Sequence, residues 1–385
     1  MRVLITGGTG TISSGLVQEC VNRGHETYAL TRGSNNVRNV IGANYLHANI
    51  WNSKEVEEAL GRLIFDVIVE CLVFTPEQLE VSLKNFASRC EQYIFISTAG
   101  VYKRQGDRRV KESDEKDCTE WDYARGKIEC ENNLKDFSKN TGLKYTIVRP
   151  TVTYGDYRIP FPIATRNPGW TFFERMLNGK PMLAGDNVLF SIIHIEDFSK
   201  LVVSLFGNGK AINEDFHITS KENDIYWDDV IIEAGKILGV EPKIVHVSSD
   251  VIKEVWPAIY DEIYYHKNTT QIFDDTKIKS ITGIEPTIGL AEGMKKIISS
   301  MKDEVEERNL KLDNKWNDYC DATIYYAYKK GQLSQSDKQI VRDYINNVGQ
   351  LVFNLSCIKV KIYSIKDVLY RTKVRLERKL KKMVR

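Results

Sequence analysis

The hydrophobic and polar positions of the first hundred residues alternate between two periods. Residues 2–6 (RVLIT) form an apolar run of strand length. After the turn GGTG, the stretch ISSGLVQECVNRG places Ile12, Leu16, Val17 and Cys20 on one helix face, and HETYALTRG returns to a strand pattern. YLHANI (45–50), FDVIVECLVF (65–74) and EQYIFISTAGVY (91–102) predict three further strands, separated by helical patterns at KEVEEAL and over 77–90. Strands alternating with helices predict an α/β protein built on a doubly wound parallel sheet. A longer helical pattern, WDYARGKIECENNLKDF, completes a first part over 1–150. The alternation then breaks: residues 151–190 mix Pro, Gly, Arg and aromatics, and WDDVIIEAGKILGV and AEGMKKIISSM read as amphipathic helices. This predicts a smaller mixed α/β part over 151–302, with segments returning to the first, and a helical extension over 303–385.

Charge sharpens the view of the extension. Residues 359–385 hold 11 Lys and Arg against 2 Asp and Glu, which leaves 43 basic and 50 acidic residues over 1–358. Within the tail, Ile362, Ile365, Leu369, Leu376, Leu380 and Met383 recur near 3.5-residue spacing, the pattern of a basic amphipathic helix. Such a helix lies on an anionic membrane surface, touches an acidic partner, or packs on the protein's own acidic body or a second subunit; the last reading is favoured. No aromatic-rich reader motif accompanies the basic residues, so nucleic acid is not expected as a partner. No apolar run approaches the roughly 18 residues of a membrane span, and the N-terminus has no secretory pattern, so a cytoplasmic protein is expected, with peripheral contact at the inner membrane face through 359–385 as the alternative. The seven cysteines and six histidines show no ligand spacing, so neither a metal nor a disulfide framework is expected.

The GGTG turn sits between a strand and a helix inside a β-α-β unit, the context in which a glycine pattern becomes a phosphate-binding fingerprint. Gly7 and Gly10 suit a tight turn and a close approach of backbone to pyrophosphate, with the helix N-terminus near Thr11 supplying N–H groups. Ser13 stands where the fingerprint has its third glycine, a small change expected to cost little. The second strand ends in Thr31-Arg32-Gly33 with no acid for ribose hydroxyls. Arg32 suits a 2′-phosphate, so NADP is favoured and NAD is the alternative.

The fifth strand ends in Ser97-Thr98, and Tyr123 and Lys127 lie four apart on one helix face. A lysine ammonium beside a phenol favours the phenolate and makes a proton donor and acceptor near neutral pH. Thr98 is placed to hold a substrate oxygen in line with that phenol.

The segments TGGTGTIS, FDVIVECLVFTP, YIFISTAGVY, YARGK, TIVRPTVTYG, GKPMLAGD, IIHIEDF and FHITS, in this order over about residues 1–300, resemble the extended short-chain dehydrogenase/reductases of the NAD-dependent epimerase/dehydratase kind. The resemblance implies a Rossmann-type sheet and a nucleotide-sugar substrate; a homodimer is also expected. The resemblance implies that Tyr123 is the general acid/base, that Lys127 tunes it and grips the nicotinamide ribose, and that Thr98 orients substrate. Together with Gly7, Gly10, Thr11 and Arg32, read above from the residues themselves, the expected dinucleotide contacts are Thr9, Ile12, Asn49, Leu72, Val73, Phe74, Tyr123, Lys127 and Pro150. Dehydratases of this kind carry an acidic pair after the catalytic Thr; Ala99 and Gly100 stand here, so water elimination is disfavoured. In the region that binds a nucleotide sugar, Thr75, Arg158, Arg166 and Arg175 are the candidate substrate contacts, with Trp170 or Phe172 to stack a base; His194 and Asp197 read as structural. The expected activity is that of an oxidoreductase or epimerase on a nucleotide-activated sugar. The alternative is a non-catalytic dinucleotide-sensing protein that works through its basic tail.

Overall fold

The computed structural model describes residues 1–34, 39–103, 106, 108–155, 158–165, 168–220 and 225–383, with side chains to residue 367. Seven strands form the main sheet: β1 (Arg2–Thr6), β2 (Glu26–Thr31), β3 (Asn44–His47), β4 (Phe65–Glu70), β5 (Cys90–Ile96), β6 (Tyr145–Pro150) and β7 (Glu214–Ile218). Their spatial order is β7-β6-β5-β4-β1-β2-β3, and every pairing is parallel. The order reverses between β1 and β4, so a crevice opens at the carboxyl ends of those two strands.

The strand sequences are apolar because both faces are covered. In β1, Val3 and Ile5 join one core layer while Leu4 joins the other; in β4, Val67 and Val69 face the first and Ile68 the second. Helices α1 (Thr11–Asn22), α2 (Ser53–Leu60), α3 (Pro76–Phe86) and α4 (Asp122–Thr141) connect successive strands and complete the layers. The expected strands over 45–50, 65–74 and 91–102 are present but end earlier, at His47, Glu70 and Ile96. The residues beyond each end are the loops that carry the site.

The second part contains α5 (Trp170–Leu177), α6 (Ile195–Val203), α7 (Trp227–Leu238) and three two-stranded sheets. His194 caps α6 by accepting the Glu196 N–H, and Asp197 accepts the backbone N–H groups of Thr287 and Ile288, so both are structural as expected.

The extension consists of α8 (Leu290–Arg308), α9 (Asn314–Lys330), α10 (Gln335–Val348) and α11 (Leu351–Met383). The boundary expected at 302/303 falls inside α8. One apolar cluster runs from Val152 and Trp170 through Trp316, Ile324 and Val341 to Phe353. The extension up to Phe353 is therefore part of the second core, because its apolar faces are the ones that α5 and α7 bury against.

Candidate functional site

The glycine loop leaves β1 at Gly7, whose φ of +93° favours glycine. A Cβ there would also lie 3.1 Å from Ser13 Oγ. That hydroxyl accepts the Gly10 N–H at 3.2 Å, so the serine in the third glycine position ties the loop to itself. The close helix packing that a third glycine permits is supplied two residues on, where Gly15 lies against Ile195 of α6. Gly10 is exposed, and a Cβ built on it would meet only Ser13 Oγ, at 3.5 Å. The protein itself gives no reason for glycine there; the cradle that a Cβ would fill, at the N-terminus of α1 between Thr9, Thr11 and Ile12, suits a pyrophosphate. These residues fit a dinucleotide.

Beneath the loop is a group the sequence pattern did not single out. Glu70, fully buried at the end of β4, accepts from Thr6 Oγ1 at 2.7 Å, Ser82 Oγ at 2.5 Å and Leu72 N–H at 2.7 Å. Burial raises its pKa, opposed by those hydrogen bonds. It ties the last residue of β1 to the loop after β4, the two sides of the crevice.

The other expected cofactor residues also follow carboxyl ends of strands. Arg32 is exposed just after β2. Asn49 is exposed after β3; its N–H is held by Glu55 and its side-chain oxygen accepts the Trp51 N–H at 3.3 Å. Pro150 ends β6 and is paired with Ile218. Leu72 is half-buried and Phe74 exposed, but the Val73 side chain lies fully buried in the layer under α3. The expectation that Val73 lines the cofactor is corrected: its side chain fills the core, and its carbonyl is the part that faces the site.

That carbonyl meets Lys127. The buried Lys127 Nζ donates to Val73 O at 2.6 Å and Ile96 O at 2.7 Å, and lies 4.7 Å from the ring centres of both Phe74 and Phe95. Burial pulls its pKa down to about 8. Two of three N–H groups are thus spent on sheet-end carbonyls, which orients the third. Tyr123, half-buried one turn earlier, has its ring centre 6.1 Å from Phe74 and 4.9 Å from Trp121. Gly126 explains this closeness: a Cβ there would lie 2.5 Å from Phe74 O, so only glycine lets the loop after β4 rest on α4. Thr98 Oγ1 accepts the Gly100 N–H at 3.1 Å, which leaves the hydroxyl hydrogen to donate. Ala99–Val101 form a tight buried turn that carries no acidic residue.

Two further residues complete this wall. Trp121 stacks on His266 with ring centres 5.6 Å apart and 24° between planes. His266 belongs to a π-helical turn, Ile263–Lys267, a geometry frequent at functional sites. Burial, then the neighbouring Lys267 charge, lowers its pKa well below 6.5, so the ring is neutral at neutral pH. The Gln271 amide acts on the His266 ring and opposes that lowering, but His266 Nδ1 and both Gln271 amide atoms make no hydrogen bond of close geometry among the described residues. Together with His266, the residues Ala99, Thr151, Ser191, Lys267 and Gln271 line a small cavity of about 10 Å³. No signal in the sequence linked residues 266 and 271 to Thr98.

The expected substrate contacts divide. Thr75 caps α3, accepting the Gln78 N–H. Arg158 is half-buried and lines a small cavity with Glu262 and Lys267. Arg166 lies outside the described residues. Arg175 is corrected: it is buried, donating to Pro181 O at 2.9 Å, Asn317 Oδ1 at 3.1 Å and Asp321 Oδ1 at 2.6 Å. Its charge is spent on joining α5 to α9, so it does not reach a diphosphate. Trp170 and Phe172 are likewise core residues rather than a base-stacking platform.

Residues 3–219 match the NAD dependent epimerase/dehydratase family. The chain is 26% identical over 316 residues, 76% of its length and 77% of the relative's, to the chloroplast stem-loop binding protein of 41 kDa b of Arabidopsis thaliana. It is 24% identical over 330 residues, 78% of its length and 98% of the relative's, to a putative UDP-glucose 4-epimerase of Methanocaldococcus jannaschii. Its fold is similar to that of UDP-glucuronic acid 4-epimerase from Bacillus cereus, solved with UDP-glucuronic acid and NAD: the TM-score is 0.63 at 18% identity, covering 79% of this chain and 100% of that one. With the glycine loop, the parallel sheet and the matched residues together, the chain belongs to the NAD dependent epimerase/dehydratase family.

Proposed function

We propose that this protein is an NAD(P)-dependent epimerase acting on a nucleotide-activated sugar. The observation that carries the reading is the position of Lys127, bonded to Val73 O and Ile96 O where β4 and β5 give way to loops; Tyr123 lies one turn earlier on the same helix and Thr98 two residues beyond β5, which supports their acting together. A bound nicotinamide dinucleotide supplies the hydride acceptor and donor. Gly7, Thr9, Gly10, Thr11 and Ile12 would hold its pyrophosphate, Leu72 and Phe74 its flank, and the third N–H of Lys127 its ribose. Thr98 donates to the sugar hydroxyl oxygen. Tyr123 takes the hydroxyl proton as the sugar is oxidised and returns it on reduction, so no net cofactor is consumed. The tight Ala99–Val101 turn offers no acid or base for water elimination, which favours epimerisation over dehydration.

Several relatives and structural neighbours are named for UDP-sugars, which supports that class here, although others are named for dTDP-glucose and for divinyl chlorophyllide. The B. cereus structure holds NAD, while Arg32 in place of an acid after β2 supports NADP in this chain. The test is turnover of UDP-hexoses and UDP-hexuronic acids by the purified chain with each dinucleotide, alongside Tyr123→Phe. Epimer formation without net change in cofactor, abolished in Tyr123→Phe while cofactor binding survives, is expected. Stoichiometric consumption of NADPH would make the protein a reductase instead. Dinucleotide binding with no turnover of any sugar would favour the sensing role.

A further inference from the structure

Over its described side chains, 351–367, the final helix has two apolar faces, of which one is covered and one is exposed. On the inner side of α11, Phe353, Ser356 and Val360 are buried. Ser356 Oγ and Tyr363 OH donate to Asp318 of α9, at 3.0 and 2.9 Å, Lys359 pairs with the same carboxylate at 3.1 Å, and Lys315 pairs with Asp367 at 3.2 Å. Up to Asp367 this face packs on the protein's own body; the side chains of the rest of the tail lie outside the described residues.

The opposite face carries Leu351, Leu355, Ile358, Ile362 and Ile365, exposed by 67, 47, 57, 44 and 61%. Their spacing of four, three, four and three keeps them in one row along the helix. Leu369, Leu376, Leu380 and Met383 continue that row in the sequence, and α11 runs unbroken to Met383. By helical period, lysines flank it on both sides: Lys366 and Lys373 along one edge, Lys361 and Lys379 along the other.

We infer that this face of α11 lies on an anionic membrane surface. A second copy is the competing occupant, since the spacing suits a coiled coil. The flanks argue against it, because paired copies would bring lysines or arginines together along both edges whether parallel or antiparallel. Nucleic acid would meet the positive charge but leave the apolar row unused. An anionic bilayer takes both features: the row enters the acyl boundary, while the lysine stems follow it and place their ammonium groups among the phosphates. The 11 basic against 2 acidic residues over 359–385 give the attraction its sign, and the acidic body keeps the rest of the protein off the surface.

The test uses the full chain and two variants, Ile358→Asp with Ile362→Asp, and Lys361→Glu with Lys366→Glu. None of these positions touches the candidate active site. Each is sedimented with phosphatidylcholine vesicles, with and without about a third phosphatidylglycerol, at low salt and at about 0.5 M salt. Sedimentation velocity without lipid reports the oligomeric state, and an RNA hairpin is titrated in parallel. The expected result is at least about tenfold preference of the natural protein for the anionic vesicles, weakened by salt and lost in both variants, with unchanged assembly. Equal binding to neutral vesicles, or none to either, would overturn the inference. So would an oligomer that dissolves in the Ile358/Ile362 variant, which would identify a second copy as the occupant. RNA binding that survives that variant, without vesicle binding, would identify nucleic acid.

Discussion

Lys127 donates through Nζ to the carbonyl oxygen of Val73 at 2.6 Å, so the candidate catalytic lysine is also a strut of the sheet end. With its second bond, to Ile96 O, it joins the segments that lead to Phe74 and Thr98. The cation is thus held where the β4 and β5 loops diverge, and its position does not depend on Tyr123.

Burial lowers the Lys127 ammonium to about 8 from 10.5. The charged form therefore costs stability at neutral pH, and that cost fades as the pH rises from about 8 towards 10.5, where the unfolded chain also loses the proton. Deprotonation also weakens the donation to a ribose hydroxyl. Calorimetric titration of the dinucleotide should show affinity falling between neutral pH and about pH 9.5, whereas Lys127→Met should bind weakly with little pH dependence. A flat profile in the natural protein would contradict this role.

Gly100→Ala tests the wall built by Trp121 and His266. The new Cβ would sit 3.1 Å from the Trp121 ring and 3.3 Å from Thr98 Oγ1, so both must shift by a few tenths of an ångström. Dinucleotide affinity and melting temperature should change little, because the atoms the new Cβ would meet belong to Trp121, Thr98 and His266 and none belongs to the glycine loop. Turnover should fall by about tenfold, since misplacing an orienting hydroxyl is costly. An unchanged catalytic constant would show that Thr98 does not orient the reacting group.

These contrasts mark what the sequence made legible. The strand, glycine turn and α1 are written in contiguous residues, and Tyr123 and Lys127 share a face by helical period alone. Arg175 was misread because its partner, Asp321, is 146 residues away and carries no mark of the pairing. Val73 was misread because adjacent residues of an irregular loop point in different directions. His266 and Gln271 reach the site through the fold of the second part, which shows no simple periodicity. Gly126 was visible inside YARGK, but its reason, the Phe74 carbonyl, belongs to another element.

Arg32 makes cofactor choice testable. It is exposed beyond β2, and no carboxylate follows that strand in Thr31-Arg32-Gly33. Arg32→Ala should weaken NADP(H) by about 1.5–3 kcal/mol through loss of a charge-assisted bond and leave NAD(H) nearly unchanged. Equal losses for the two dinucleotides, measured by calorimetry, would remove Arg32 from phosphate recognition.

The buried cluster around Glu131 supplies the last prediction. Ser97, which immediately precedes Thr98, donates to Glu131 at 2.6 Å; Arg149 donates to both its oxygens, at 2.9 and 2.7 Å, and Lys116 pairs with it at 2.9 Å. Arg149 also pairs with Asp215 of β7, so the cluster ties α4, β5, β6 and β7 together behind the site. Burial alone would raise the Glu131 pKa; the charge and hydrogen bonds of Arg149, helped by Lys116 and Ser97, lower it to about 2 from 4.5. A lowered folded value means stability that is present above 4.5 and is lost as the pH falls through that value towards 2. The shift corresponds to about 3 kcal/mol. Glu131→Gln should therefore lose about that much in urea unfolding at pH 7, and the difference from the natural protein should shrink on acidification. Arg149→Met should lose more, about 3–5 kcal/mol, because it leaves a buried carboxylate short of its main partner. Both should lower turnover through Ser97 and Thr98 while leaving the glycine loop's affinity intact. If Glu131→Gln and the natural protein instead lose stability in parallel from pH 7 to about pH 3, the pairing does not carry the acid sensitivity of the fold.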